Sequence, residues 1–313
     1  MSPRSRKTAS KQSEFMPFGC LKILRLYKQA TRARIMDRRL FAMMNEIKSM
    51  QRQVNYQSHE PDIAGDDVDF DFVYDNTLLN GLLTIRKIRQ QREGHCSKYA
   101  WTVAAEMDQT IELALDGKTI SDVNPEPLDA KDLVKKHRIY QQRILKANNK
   151  LESLHVDDSN RVFDMDEFEL VGAITKVCGI RTQGTNKEIH KIDSCMKLYK
   201  NDFAEICTAI ADGPVVATFR PGMNLIDLAY GQVYKATTTE KFLSGNYKDE
   251  HHSIVLIGAG RRRKRYFYFL NSWGKKFCCR VSKKEEVFPG GIGLIRASDL
   301  SSDPIHLRRK VKM

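Results

Sequence analysis

Apolar residues recur at helical spacing from Leu21 to about Val54, at Leu21, Leu24, Tyr27, Ile35, Leu40, Met43, Met44, Ile47 and Met50, with no proline or glycine to interrupt them. The pattern predicts one or two amphipathic basic helices. From Ser58 to Asp67 the periodicity stops in an acidic stretch that holds Pro61 and Gly65, so the folded domain is expected to begin near Val68. Beyond it, residues 97–115 and 129–152 read as helices, and Asp164 to Val177 as a third, with Phe168, Leu170, Val171, Ile174 and Val177 on one side. After Cys178 the pattern changes. Pro214–Phe219, Ser253–Gly258, Tyr266–Leu270 and Ile292–Ile295 read as strands, with a short helix over Asp202–Ile210. The expected class is α+β, with a mostly helical first half and an antiparallel sheet in the second. Gly260 and the basic run after it fall where a hairpin turn belongs.

Charge refines the organisation. The formal net charge is +13, but residues 1–60 carry a net of +9, so the body of the protein is nearly neutral. The chain divides into a basic N-terminal extension (1–67), a folded domain (68–300) and a basic C-terminal tail (301–313). Residues 1–14 have too little to bury to offset the entropy of ordering. Basic runs at Arg261–Arg265, at Arg308–Lys310 and in the N-terminal helix have no interleaved aromatics, so they read as solvated surface and not as a nucleic-acid interface. The basic helix would suit an acidic protein partner. No apolar run approaches the roughly 18 residues of a membrane span. The stretch from Phe15 to Leu26 is broken by Lys22 and Arg25, which disfavours a secretory signal, although the composition loosely fits an organelle transit peptide. Seven cysteines occur without a CxxC pair or a zinc-ligand cluster, so neither a metal, a cofactor nor a disulfide framework is expected.

The candidate chemistry lies in the second half. His252 begins one strand and Asn271 ends the next, so antiparallel pairing brings them side by side. An Asn amide oxygen can then accept from the imidazole and fix its tautomer, as the orienting member of a nucleophile–base–orienter set does.

His252-Ser-Ile-Val-Leu-Ile-Gly258-Ala-Gly260 and Asn271-Ser-Trp-Gly274 resemble the His and Asn motifs of the papain-like cysteine peptidases, with Ala259 in place of an aromatic. The resemblance implies a nucleophilic Cys at the N-terminus of a long helix, six residues after a Gln and ten before a Glu. Gln90, Cys96 and Glu106 have that spacing. It further implies a papain-like fold of two subdomains, a helical left half and an antiparallel β-barrel-like right half with the cleft between them. Cys96 would be the nucleophile, His252 the acid and base, and Asn271 the orienter. Gln90 would supply an oxyanion donor, and Trp273 would cover the Asn271–His252 bond. The implied activity is hydrolysis of peptide or protein substrates through a Cys96 thioester, without a cofactor.

Departures from the family pattern keep a second reading open. Ser97 stands where the family has Trp, His95 follows Gly94 without the usual half-cystine, and Lys135-Lys136-His137-Arg138 occupies the place of a Cys- and Gly-rich substrate loop. A rival alignment through Tyr99-Ala100-Trp101 puts Lys98 at the nucleophile position and implies a pseudopeptidase that binds a partner. The missing disulfide partners suit a reducing intracellular compartment, cytoplasm or nucleus, better than a vacuole or the exterior. Residues 15–57 read as a relic of the family's propeptide or as a surface helix.

Overall fold

The computed structural model describes residues 70–73, 78–79, 82–91, 94–152, 166–185, 187–236, 251–262, 264–278, 280–281, 286–288 and 290–308. The extension over 1–67, with its predicted helices, propeptide-like segment and proposed partner surface, lies outside the described residues. All the described residues belong to one unit of the chain.

Four helices form where the periodicity places them: α1 (Cys96–Leu115), α2 (Ala130–Glu152), α3 (Glu167–Cys178) and α4 (Phe203–Asp212). Their ends have local causes. Asp166 accepts from Phe168 N at 3.0 Å to cap α3, and Asp202 accepts from Glu205 N at 2.9 Å to cap α4. Gly179, at φ 65°, ends α3 in the left-handed conformation that a side chain disfavours. Helix α1 is buried on nearly all sides between α2, α3 and the sheet. Small residues allow the approach: Ala104 and Ala105 are fully buried, and Trp101 lies against Gly172, its Nε1 donating to Phe168 O at 3.1 Å. None of the described helices is long and apolar enough to cross a membrane.

The main sheet contains β1 (Phe70–Val73), β2 (Ser194–Lys197), β3 (Val215–Phe219), β4 (Val233–Tyr234), β5 (His252–Arg262), β6 (Lys264–Leu270), β7 (Ile292–Arg296) and β8 (Ile305–Arg308). Its order is β2-β8-β3-β5-β6-β7-β4, with β1 added along the far part of β5. Phe219, Tyr234, Ile254, Leu256, Phe267, Phe269 and Ile295 form its core, closed on one side by Ile206 and Ile210 of α4.

Three expectations are corrected. Among the described residues the sheet is an open path and not a closed barrel, since its last strand, β4, has two residues and pairs only with β7. That pairing is parallel, so the sheet is not wholly antiparallel. The domain also does not end at 300: β8 pairs with both β2 and β3, and Ile305, His306 and Leu307 are buried. Four residues behind Pro304 and ahead of a basic run are too short a strand for alternation to reveal. The hairpin also differs in detail, because β5 continues through Gly260 to Arg262. Gly258 gives room to the backbone of β1, and Gly260 to the ring of Tyr266.

Candidate active site

Cys96 is the first residue of α1, after a loop turned by Gly94 at φ 69°. The first turn of the helix contains no acidic residue of its own, and His95 gives no side-chain cap, so the positive end of the helix dipole acts on the thiol. The start of β5 faces that turn. Cys96 Sγ lies 3.7 Å from His251 O, and His252 follows within hydrogen-bonding reach of the thiol.

His252 is buried at the site. Its Nε2 donates to Asn271 Oδ1 at 2.8 Å, and Ser272 N donates to the same oxygen at 2.8 Å. The second bond fixes which end of the amide faces the imidazole. Nε2 must therefore carry the proton, which leaves Nδ1 to receive one from the thiol. Phe219 meets the imidazole edge-on at 5.6 Å and Trp273 covers it at 5.1 Å, so the bond to Asn271 is shielded from water. The strand register that pairs Leu270 with Val255 carries Asn271 to this position, and Asn271 N donates to Gly291 O at 2.7 Å to hold the strand end.

Burial pushes the Cys96 thiol up, but the hydrogen bond and charge of His252, with hydrogen bonds from Ser253, outweigh it and hold the pKa below the ordinary thiol value. The result favours the thiolate form of Cys96.

Gln90 is brought to the same cleft by backbone pairing. It forms an antiparallel bridge with Trp273, Gln91 N donates to Ser272 O at 2.6 Å, and Gly274 N donates to Arg89 O at 2.9 Å. Ser272 Oγ also donates to Gln91 Oε1. All five sequence-predicted site residues, Gln90, Cys96, His252, Asn271 and Trp273, thus come together. One further residue, Arg89, supports them without a sequence signal of its own. Arg89 donates to Glu106 Oε1 at 2.5 Å and to Leu128 O at 2.7 Å, while Glu106 Oε1 accepts from Leu128 N at 2.7 Å. This buried pair ties the residue before Gln90 to the helix that carries Cys96. Lys98, the nucleophile of the rival alignment, is buried and ion-paired with Glu167, which also accepts from Ser97 Oγ at 2.6 Å. It points into the helical half, so it is not a second charge beside the thiolate.

Residues 134–280 match the sequence model of the papain family cysteine proteases, a little under half of the chain. Among solved structures, the chain is similar to the proform of the Amb a 11 cysteine protease, a major ragweed pollen allergen, at 16% identity over 71% of this chain and 61% of that one, with a TM-score of 0.44. It is also similar to the bromelain protease of Ananas comosus bound to the E64 inhibitor, at 14% identity over 76% and 98%, with a TM-score of 0.45. The chain thus spans less than two thirds of the ragweed proform. No curated protein matches it. The papain-family match includes His252 and Asn271 but begins after Gln90 and Cys96, so the nucleophile half of the papain-like site is assigned from geometry.

Beneath the site, His137 of α2 is buried near Lys98, Glu167 and His95. Burial, with the Lys98 charge, pushes its pKa down to about 4 against the opposing pull of Glu167. His190, beside Asp108, is pushed down to about 4 by burial and by Arg86. A histidine with a depressed folded pKa takes up its proton first in the unfolded chain, so stability falls as pH drops from about 6.5 toward 4. Each should contribute on the order of 2–3 kcal/mol to that loss. Urea midpoints at pH 7.5 and 4.5 are expected to differ sharply, and less so for His137→Asn and His190→Asn. Equal midpoints for the parent protein would contradict the assignment.

Proposed function

We propose that the chain is a cysteine-type endopeptidase. The observation that carries the proposal is the Cys96 thiol at the N-terminus of α1, held below its ordinary pKa against a His252 whose tautomer is set by Asn271. In the first half-reaction the Cys96 thiolate attacks the scissile carbonyl carbon, the C–S bond forms, and the carbonyl electron pair moves onto oxygen. The backbone N–H of Cys96 and the side-chain amide of Gln90 stabilise that oxyanion, each donor contributing about 3 kcal/mol. His252 passes its proton to the leaving amine as the C–N bond breaks, giving a thioester. Water then attacks the thioester carbonyl while His252 takes its proton, and collapse releases the carboxylic acid and restores the Cys96 thiolate.

A near-neutral, reducing compartment suits this enzyme. Cys96, Cys178, Cys207 and Cys278 are free, and the buried His137 and His190 oppose function in acid. One feature favours a binding-only protein instead. Helix α2, with Lys136 bound to Asp132 and to Gly179 O, fills the place where the family carries its substrate-backbone loop.

Thiol alkylation separates the two readings. The iodoacetamide rate at Cys96 should reach its plateau at a pH below that of a free cysteine. His252→Ala removes the imidazolium and moves the profile upward, so the rate near pH 7 falls roughly tenfold for each unit of the shift. Superimposable profiles for the two proteins would leave the binding-only reading.

A further inference from the structure

At the hairpin end of the sheet, a cavity of about 430 Å³ is lined by Lys200, Phe203, Lys264, Arg265, Arg296 and Ser298. Strand β6 separates it from the catalytic cleft: Lys264 begins the strand and Asn271 follows its end, a span of roughly 20 Å at the rise of an extended strand. Four cations meet at this hollow from three parts of the chain, the turn before α4, the start of β6 and the end of β7. Among the described residues, none of the four makes an ion pair.

Three carboxylates lie close in sequence, each held by a backbone amide. Asp202 accepts from Glu205 N at 2.9 Å, Asp303 from Lys200 N at 3.0 Å, and Asp299 from Ala236 N at 2.8 Å. Asp303 and Asp299 also touch lining residues, through Lys200 N and Ser298 Oγ, so the four cations of the cavity outnumber these three carboxylates by one charge. Arg265 is also held in place, its guanidinium 5.3 Å from the centre of the Phe203 ring. A guanidinium carries its N–H groups in the fork geometry that fits phosphate oxygens. Arg296 supplies a second such fork, and Lys200 and Lys264 supply point charges.

We propose that this cavity binds a small ligand carrying two or more closely spaced phosphate groups. Its volume fits a small molecule, within the range of about 300–1,000 Å³ typical of ligand pockets. One phosphate would leave at least one of the two arginines unused, whereas a short run of phosphates can engage both. The site is independent of the peptidase reading, because no lining residue belongs to the catalytic set.

The test is calorimetric titration of the full chain with tripolyphosphate and, separately, with orthophosphate at about 0.15 M salt, where exposed charges are screened beyond about 8 Å. Tripolyphosphate should bind at least tenfold more tightly than orthophosphate. The pair R265Q/R296Q should weaken tripolyphosphate at least tenfold, while R32Q/R34Q, which removes the same charge from the N-terminal extension, should not. If R265Q/R296Q fails to fold by circular dichroism, K200Q/K264Q replaces it with the same expectation. Absence of tripolyphosphate binding, or equal weakening by the cavity and N-terminal pairs, overturns the proposal. So does binding of a 30-base-pair DNA duplex that requires Arg265 and Arg296 when tripolyphosphate does not bind, which would make the surface a nucleic-acid contact.

Discussion

Cys96→Ala is expected to abolish peptide hydrolysis, by a factor of roughly 10⁴ or more, without loss of fold. Removing a nucleophile eliminates the covalent route, and what remains is binding and oxyanion stabilisation alone. The fold should survive because the thiol is only half-buried and its hydrogen bond is made to the His251 carbonyl, a group open to solvent at the cleft. His252→Ala should produce a loss of similar order, and the double variant should be little worse than either single one, since the two residues act as a unit. Substrate turnover by Cys96→Ala protein freed of wild-type contamination, measured beside its circular dichroism spectrum, checks the expectation. Undiminished turnover would place the chemistry elsewhere.

The second large effect concerns stability. Arg89→Met leaves the Glu106 carboxylate buried without its cation, and breaking a buried pair in this way costs about 3–5 kcal/mol. Glu106 would keep its bond from Leu128 N and the charge of Arg86, and the chain just before Gln90 would lose its anchor to α1. The double variant Arg89→Met with Glu106→Leu removes both charges, and much of the loss should be recovered. Urea denaturation of the two single variants and the double variant gives the coupling. Additive losses, with no recovery in the double, would show that the pair does not hold the loop as its geometry indicates.

The two cases differ in how legible they were from sequence. Cys96, His252, Asn271 and Gln90 stand in short strings of fixed spacing, and a strand hairpin places the His and Asn beside each other by register alone. Arg89 has no such signal. Its partner Glu106 lies seventeen residues away on a different element, and only the folding of α1 against the Gln90 loop makes the pair. Lys98 was ambiguous for a related reason. Helical periodicity places it in the first turn of α1 but cannot say that Glu167, beyond the α2 helix in sequence, waits to receive it. Alternation located β3, β5, β6 and β7, which are long and apolar. It missed β1, β2, β4 and β8, strands of two to four residues whose identity comes from a partner and not from their own pattern. Gly260 looked like a turn residue, whereas Gly258 and Gly260 clear space within β5 for a strand and for a tyrosine ring.

Active-site labelling tests the central claim most directly. The intact chain would be incubated near pH 7 with an epoxide inhibitor of papain-like thiols and analysed by mass spectrometry after digestion. One inhibitor per chain, attached at Cys96, absent from Cys96→Ala and strongly slowed in His252→Ala, is the predicted result. Folded protein that stays unlabelled, or that reacts at another cysteine with no dependence on His252, would contradict an activated nucleophile at the head of α1.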